Sequence, residues 1–199
     1  MEQKRIAIFD FDGTITGKDS LMAFLKFTQG YLKLCWGLFI LSPILVLYVL
    51  KIIPNYKAKQ ILFSWFYRGW GIEKFNSHCR DFIPTLQHIV RPRALQAIQE
   101  YQAQGITIVI ITASVENWVL PWANTVGISQ VIGTQIAVDK QNRVTGRFLS
   151  KNCYGQEKVN RFLEKYPDRE NYILDAYGDS RGDKELIALA DKGEMNAFL

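Results

Sequence analysis

An apolar run that stops on two aspartates constrains this chain more than any other feature. Ile6-Ala7-Ile8-Phe9 leads directly into Asp10-Phe11-Asp12-Gly13-Thr14-Ile15. Short apolar runs bounded by turn residues read as buried strands of a parallel sheet. Open α/β sheets bind their ligands beyond the carboxyl ends of such strands. Side chains at i and i+2 of a strand share a face, so Asp10 and Asp12 can converge on one site. Two close carboxylates repel each other unless a cation or a proton lies between them. The pair therefore points to a Mg²⁺ site with a nucleophilic or acid/base role. On the pair alone, the competing reading is a surface turn with two solvated acids.

The rest of the chain predicts the sheet that would carry such a site. Residues 106–111 form a second apolar run, after a helical stretch at 92–104 that Gly105 stops. A third run at 172–177 ends in Gly178-Asp179. Residues 131–136 and 143–149 flank a turn at 139–142 and predict short strands or a hairpin. Helices are expected over 117–125, 155–165 and 184–190, with a last edge strand at 194–199. Strands that alternate with helices predict the α/β class, with a doubly wound, mostly parallel, Rossmann-like sheet. Residues 16–90 break the alternation and are rich in Leu, Phe, Trp and Tyr. They predict an α-helical insertion, leaving 1–15 and 91–199 as the core.

Within the insertion, residues 34–50 (LCWGLFILSPILVLYVL) carry no charge and lie between Lys33 and Lys51. The segment falls just short of the roughly 20 residues a spanning helix needs. Pro43 is expected to kink or split it into two half-helices. Three readings compete: a packed helix pair, a hairpin that dips into a membrane surface, and a full span. The last would put parts of one core on opposite sides of a bilayer. Lys51, Lys57, Lys59 and Arg68, with Trp36, Tyr48, Trp65, Tyr67 and Trp70, suit an anionic lipid interface. The same aromatics would also suit a packed core. The formal charge of +5 is a mild excess without a dense basic block, so nucleic acid is not expected as a partner. With 3 widely spaced cysteines and 2 histidines, neither a disulfide framework nor a multi-histidine zinc site is expected. No leader is expected before the first strand, and reduced thiols fit a cytoplasmic setting.

Three more places carry chemistry. The second strand runs out through Thr112-Ala113-Ser114, offering a hydroxyl and backbone N–H groups to phosphate oxygens, or simply a structural turn. Lys158 falls in the first turn of the helix opened by Gly155, where a cation opposes the helix dipole. An anionic partner would explain it; an exposed lysine is the plainer reading. Asp179 and Asp183, four residues apart after the third strand, look like ligands for a hard cation or N-cap residues.

In this order, DxDGT, a strand-end Thr, a Lys and GDxxxD resemble the haloacid dehalogenase superfamily of phosphatases. The insertion resembles the helical cap of its phosphoserine phosphatase-like subgroup. The resemblance implies that Asp10 is the nucleophile and forms an aspartyl-phosphate. It implies that Asp12 is the general acid and then the base. Thr112 and Lys158 would hold the phosphoryl oxygens, assisted by Ala113 and Ser114. Mg²⁺ would be held by Asp10, the main-chain carbonyl of Asp12, Asp179 and Asp183. The run Cys153-Tyr154-Gly155-Gln156-Glu157-Lys158-Val159, the proline-containing apolar segment and Asp19 resemble the C-type phosphatidylglycerophosphatases. That implies a phospholipid headgroup as the phosphomonoester substrate and contact with the inner face of the cytoplasmic membrane. The alternative is a soluble phosphatase for a metabolite such as phosphoserine, with Asp19 meeting a substrate amine. A non-catalytic membrane or partner-binding module is a third, remote reading.

Overall fold

The computed structural model describes residues 4–199. Its centre is β1 (Lys4–Phe9), with β2 (Thr107–Val115) on one side and β6 (Tyr172–Gly178) on the other. Adding β3 (Gln130–Thr134) and β7 (Lys192–Met195) gives a parallel sheet of order β3-β2-β1-β6-β7. The central strand is apolar on both faces because both are covered. Ala7 and Phe9 point into one core cluster, and Ile6 and Ile8 into the other. The helices α6 (Pro92–Ala103), α7 (Glu116–Thr125), α8 (Gln156–Lys165) and α9 (Lys184–Leu189) alternate with the strands. The expected doubly wound α/β architecture is what the chain forms.

Two boundaries differ from expectation. Residues 131–136 do not make one strand. β3 joins the main sheet, whereas β4 (Ile136–Val138) pairs antiparallel with β5 (Val144–Phe148) as a separate hairpin. Asp139 Oδ1 closes that hairpin by accepting from the N–H groups of Gln141 and Arg143, each at 2.9 Å. The second strand also does not stop at Ile111. β2 continues in extended form through Val115, its pairing with β3 shifting register between Ile111 and Val115. Thr112, Ala113 and Ser114 therefore lie on an irregular strand end, with backbone no longer committed to a regular ladder.

Five helices stand between β1 and α6: α1 (Ser20–Ile40), α2 (Ser42–Val49), α3 (Asn55–Tyr67), α4 (Ile72–Asp81) and α5 (Ile83–Gln87). Asp19 caps α1, accepting from Met22 N–H at 2.9 Å. Gly30 interrupts α1 with φ 73°, a conformation open to glycine and costly for other residues. The break in the apolar segment falls at Leu41, and α1 and α2 meet at 65°. Pro43 sits in the first turn of α2, where its missing N–H breaks no helical hydrogen bond. The insertion shares its interior with the sheet. Phe24 of α1 is fully buried and stacks on Trp118 of α7 at 4.9 Å, with Tyr67, Phe75 and Phe82 around it.

The far arm of the insertion behaves differently. Helix α2 has no buried residue. In residues 34–50 only Leu34, Gly37 and Leu41 are buried. Leu32, Trp36, Phe39, Val49 and Leu50 are 62–83% exposed. A helix pair packed inside the insertion is therefore not what forms. Among the described residues no single helix is long and apolar enough to cross a membrane, though the bent α1–α2 pair reaches that length and composition together.

Replacing Phe24 by Ala should cost about 3–5 kcal/mol, as for other fully buried aromatics. Trp36→Ser should stay within about 0.5 kcal/mol, as for an exposed surface position. Urea unfolding of both variants checks this, and equal losses would contradict the division into core and arm.

Candidate active site

The carboxyl ends of β1 and β6 bring three acids and one lysine together. Asp10 follows β1, its N–H donating to the carbonyl of Tyr177 on β6 at 2.9 Å. Lys158, in the first turn of α8, reaches back so that Nζ lies 2.5 Å from Asp10 Oδ1 and 2.5 Å from Asp183 Oδ1. All three groups are buried. The helix dipole and burial both oppose a cation at this place. Two carboxylates outweigh them and hold the Lys158 pKa above its ordinary value. Burial pushes Asp10 up to about 7, against the pull of Lys158.

Asp183 is fixed by its other oxygen. Oδ2 accepts from Ser180 N–H at 3.0 Å and Ser180 Oγ at 2.9 Å. This box closes the turn Arg181–Asp183. Asp179 stands beside it with Oδ1 buried and without a hydrogen-bond partner. Burial and the charge of Asp183 raise its pKa. Gly13 makes room for this carboxylate: a Cβ there would run into it, and its φ of +88° suits glycine alone.

Oxygens of Asp10, Asp179 and Asp183 all lie within 4.8 Å of one another. An unpartnered buried carboxylate oxygen facing two further acids fits a hard divalent cation, which takes oxygen donors of this kind. One lysine supplies one positive charge to three acids, so the set is short of positive charge without such an ion.

Asp12 lies apart from this trio. Its Oδ1 accepts from Ser20 N–H at 2.8 Å, and its Oδ2 accepts from the Ser114 hydroxyl. Its carboxylate is not one of the three converging acids. Burial raises its pKa; Asp19 raises it further and Lys59 of α3 lowers it.

The remaining expected residues divide. Thr112 is buried, and its Oγ1 accepts from Ser114 N–H at 3.0 Å, keeping its own proton to give. The Ala113 carbonyl accepts from Thr134 Oγ1 at 2.9 Å, which ties the irregular end of β2 to β3. Ser114 was expected to face phosphate. Its hydroxyl instead serves Asp12, because the side chain of this irregular strand end turns toward the β1 loop. Asp19 was expected in a substrate pocket. It is exposed and caps α1, and its charge acts on Asp12.

Sequence reading missed Ser20 and Trp118, and took Lys59 only as one of the cations suited to a lipid interface, not as a charge acting on Asp12. Ser20 could have been found as the residue after an Asp helix start in an otherwise apolar stretch. Nothing in the local sequence marks Trp118.

Residues 7–188 match the family of haloacid dehalogenase-like hydrolases. The chain belongs to that family. It is 34% identical over 195 residues to Protein CicA of Caulobacter vibrioides, covering 97% of this chain and 86% of CicA. Its fold is similar to that of a Bordetella pertussis protein of unknown function, with TM-score 0.82, 18% identity and coverage of 98% and 89%. It is also similar to that of a phosphoserine phosphatase, with TM-score 0.62, 16% identity and coverage of 98% and 86%. The family is one of hydrolases, and the chain is an enzyme of that class.

Lys158→Met should leave Asp10 and Asp183 as buried acids without their counter-charge. Removing one partner of such a pair costs about 3–5 kcal/mol. Denaturant unfolding at neutral pH in the presence of a chelator should show that loss. Unchanged stability would mean that the lysine does not hold the two acids together.

Proposed function

We propose that the protein is a Mg²⁺-dependent phosphomonoesterase that works through an aspartyl-phosphate at Asp10. The observation that carries this reading is Lys158 clamped between Asp10 and Asp183, with the unpartnered oxygen of Asp179 beside them. Asp10 attacks phosphorus as the bond to the leaving alcohol breaks, and Asp12 gives that alcohol its proton. Asp12 then takes a proton from the water that attacks the aspartyl-phosphate, and phosphate leaves with Asp10 restored. Lys158 keeps the Asp10 carboxylate aimed, and the Thr112 hydroxyl donates to a phosphoryl oxygen. Bound at Asp10, Asp179, Asp183 and the Asp12 carbonyl, Mg²⁺ supplies charge neutralisation for the phosphoryl oxygens. Phosphoryl transfer depends chiefly on such positioning and neutralisation. The phosphoserine phosphatase of similar fold is described as a phospho-aspartyl intermediate analogue.

The substrate we infer is a phosphomonoester on a phospholipid headgroup, of the phosphatidylglycerol phosphate type. The inserted helices act as a cap, and the exposed arm meets an anionic membrane surface. Tyr31, Leu32, Trp36, Phe39, Val49 and Leu50 present apolar area, and Lys33, Lys51 and Lys57 beside them are exposed. Cations near the interface add roughly 1 kcal/mol each on anionic lipid. Lys59, whose charge acts on Asp12, suits a second negative group next to the scissile phosphate.

Asp10→Asn should abolish phosphate release, because an amide is a poor nucleophile. A chelator should remove wild-type activity and Mg²⁺ restore it. Normal turnover by Asp10→Asn would overturn the mechanism. For the substrate, the wild type should float with phosphatidylglycerol vesicles and prefer phosphatidylglycerol phosphate in mixed micelles to phosphoserine. Phe39→Glu with Val49→Glu should lose flotation while keeping hydrolysis of a soluble ester. Preference for phosphoserine, with no flotation, would favour a soluble metabolite phosphatase.

A further inference from the structure

Asp12 receives its two hydrogen bonds from different parts of the fold. Ser114 belongs to the end of β2, and Ser20 is the first residue of the inserted helix α1. Behind them the network continues. Ser20 Oγ lies 3.0 Å from Ser114 Oγ, and Trp118 Nε1 of α7 donates to Ser20 Oγ at 3.1 Å. Ser20, Ser114 and Trp118 are all buried.

Counting protons fixes the direction of this chain. Each hydroxyl has one proton to give, and an indole N–H only donates. Ser114 gives its proton to Asp12, so it must accept from Ser20. Ser20 in turn gives its proton to Ser114 and accepts from Trp118. Every donor therefore points the same way, from Trp118 through Ser20 and Ser114 to Asp12 Oδ2. Consecutive bonds of this kind strengthen one another in a buried setting. The Ser20 N–H on Oδ1 completes a two-point grip that fixes the plane of the carboxyl group. Each oxygen keeps one lone-pair direction unclaimed, and the free side is the one available to a reacting oxygen.

We propose that Ser114 is a positioning residue for Asp12, acting through this directed chain and jointly with Ser20. The proposal rests on the reading of Asp12 as proton donor to the leaving group. It makes the orientation of that donor depend on how the first turn of α1 sits against β2. The Ser114 hydroxyl is engaged with Asp12 and Ser20 and not with the three clustered acids, so it acts by holding the carboxyl group that does the proton transfer.

The experiment compares kcat/KM for an alkyl phosphate with that for p-nitrophenyl phosphate, in Mg²⁺. This parameter reports the steps up to phosphoryl transfer to Asp10. An alkoxide needs a proton as it leaves and p-nitrophenolate does not, so only the alkyl ester senses Asp12. General acids contribute about 100- to 10,000-fold. Ser114→Ala should lose about tenfold or more on the alkyl ester and under about threefold on the aryl ester, a fraction of that general-acid effect. Ser114→Thr, which retains the hydroxyl, should recover most of the alkyl activity. Ser20→Ala keeps its N–H and removes one link, so it should show a smaller loss with the same alkyl selectivity. It also decides the matter if Ser114→Ala fails to fold, which thermal unfolding reports. Equal losses on both esters, or none on either, would overturn the proposal. Asp12→Asn run in parallel separates the two claims. If it is not alkyl-selective, the role of Asp12 itself fails. If it is and the serine variants are not, only the positioning fails.

Discussion

The ion pair of Lys158 with Asp10 and Asp183 is the interaction on which the rest of the site depends. A buried carboxylate is costly unless paired, and two of them side by side are worse. The fold supplies one lysine, from the first turn of α8, to hold Asp10 and Asp183 at 2.5 Å each. That geometry requires β1, the turn after β6 and the start of α8 to meet at one end of the sheet. Parallel neighbours at the sheet centre deliver all three, because their carboxyl ends lie on the same edge. Asp179 Oδ1 is left without a hydrogen-bond partner. An orphaned buried oxygen costs stability, so its retention makes sense as a seat for an ion.

A second constraint comes from the insertion. Its base is fused to the sheet through Phe24, Trp118 and their aromatic neighbours, while its far arm turns a largely apolar surface outward. The same helix, α1, begins at Ser20, whose N–H holds Asp12, and runs to that arm, with Gly30 as a break between them. Rigid packing near the site and exposed apolar surface away from it are thus features of one element. The break lets the two halves take different directions, so the base need not follow the arm.

Much of this was legible in the sequence because it follows from strand periodicity and from acids at strand ends. Asp10, Asp179 and Asp183 stood out as acids at strand ends and Lys158 as a cation opposing a helix dipole, and the structure brings them together. Thr112 was legible as a hydroxyl at the end of a strand. Ser114 and Asp19 were noticed, but their partners were not, since a hydroxyl or a carboxylate near a turn has many local hydrogen-bonding options. Trp118 left no sign, and Ser20 only that of a residue following an Asp helix start. Their contacts cross 94 and 98 residues of sequence, and no local pattern encodes so distant a neighbour. The split of 131–136 between two sheets was hidden for a similar reason. One apolar run can serve either pairing, and the partners that divide it, β2 and β5, are separate stretches of the chain.

The central claim is that Asp10 carries the phosphoryl group between substrate and water. Rapid acid quenching during turnover, followed by mass spectrometry of the peptide containing Asp10, tests it most directly. The account predicts a phosphoryl group on Asp10 in the quenched sample and none in a sample quenched before substrate is added. Turnover with Asp10 unmodified at every quench time, or a phosphoryl group on another residue, would contradict it.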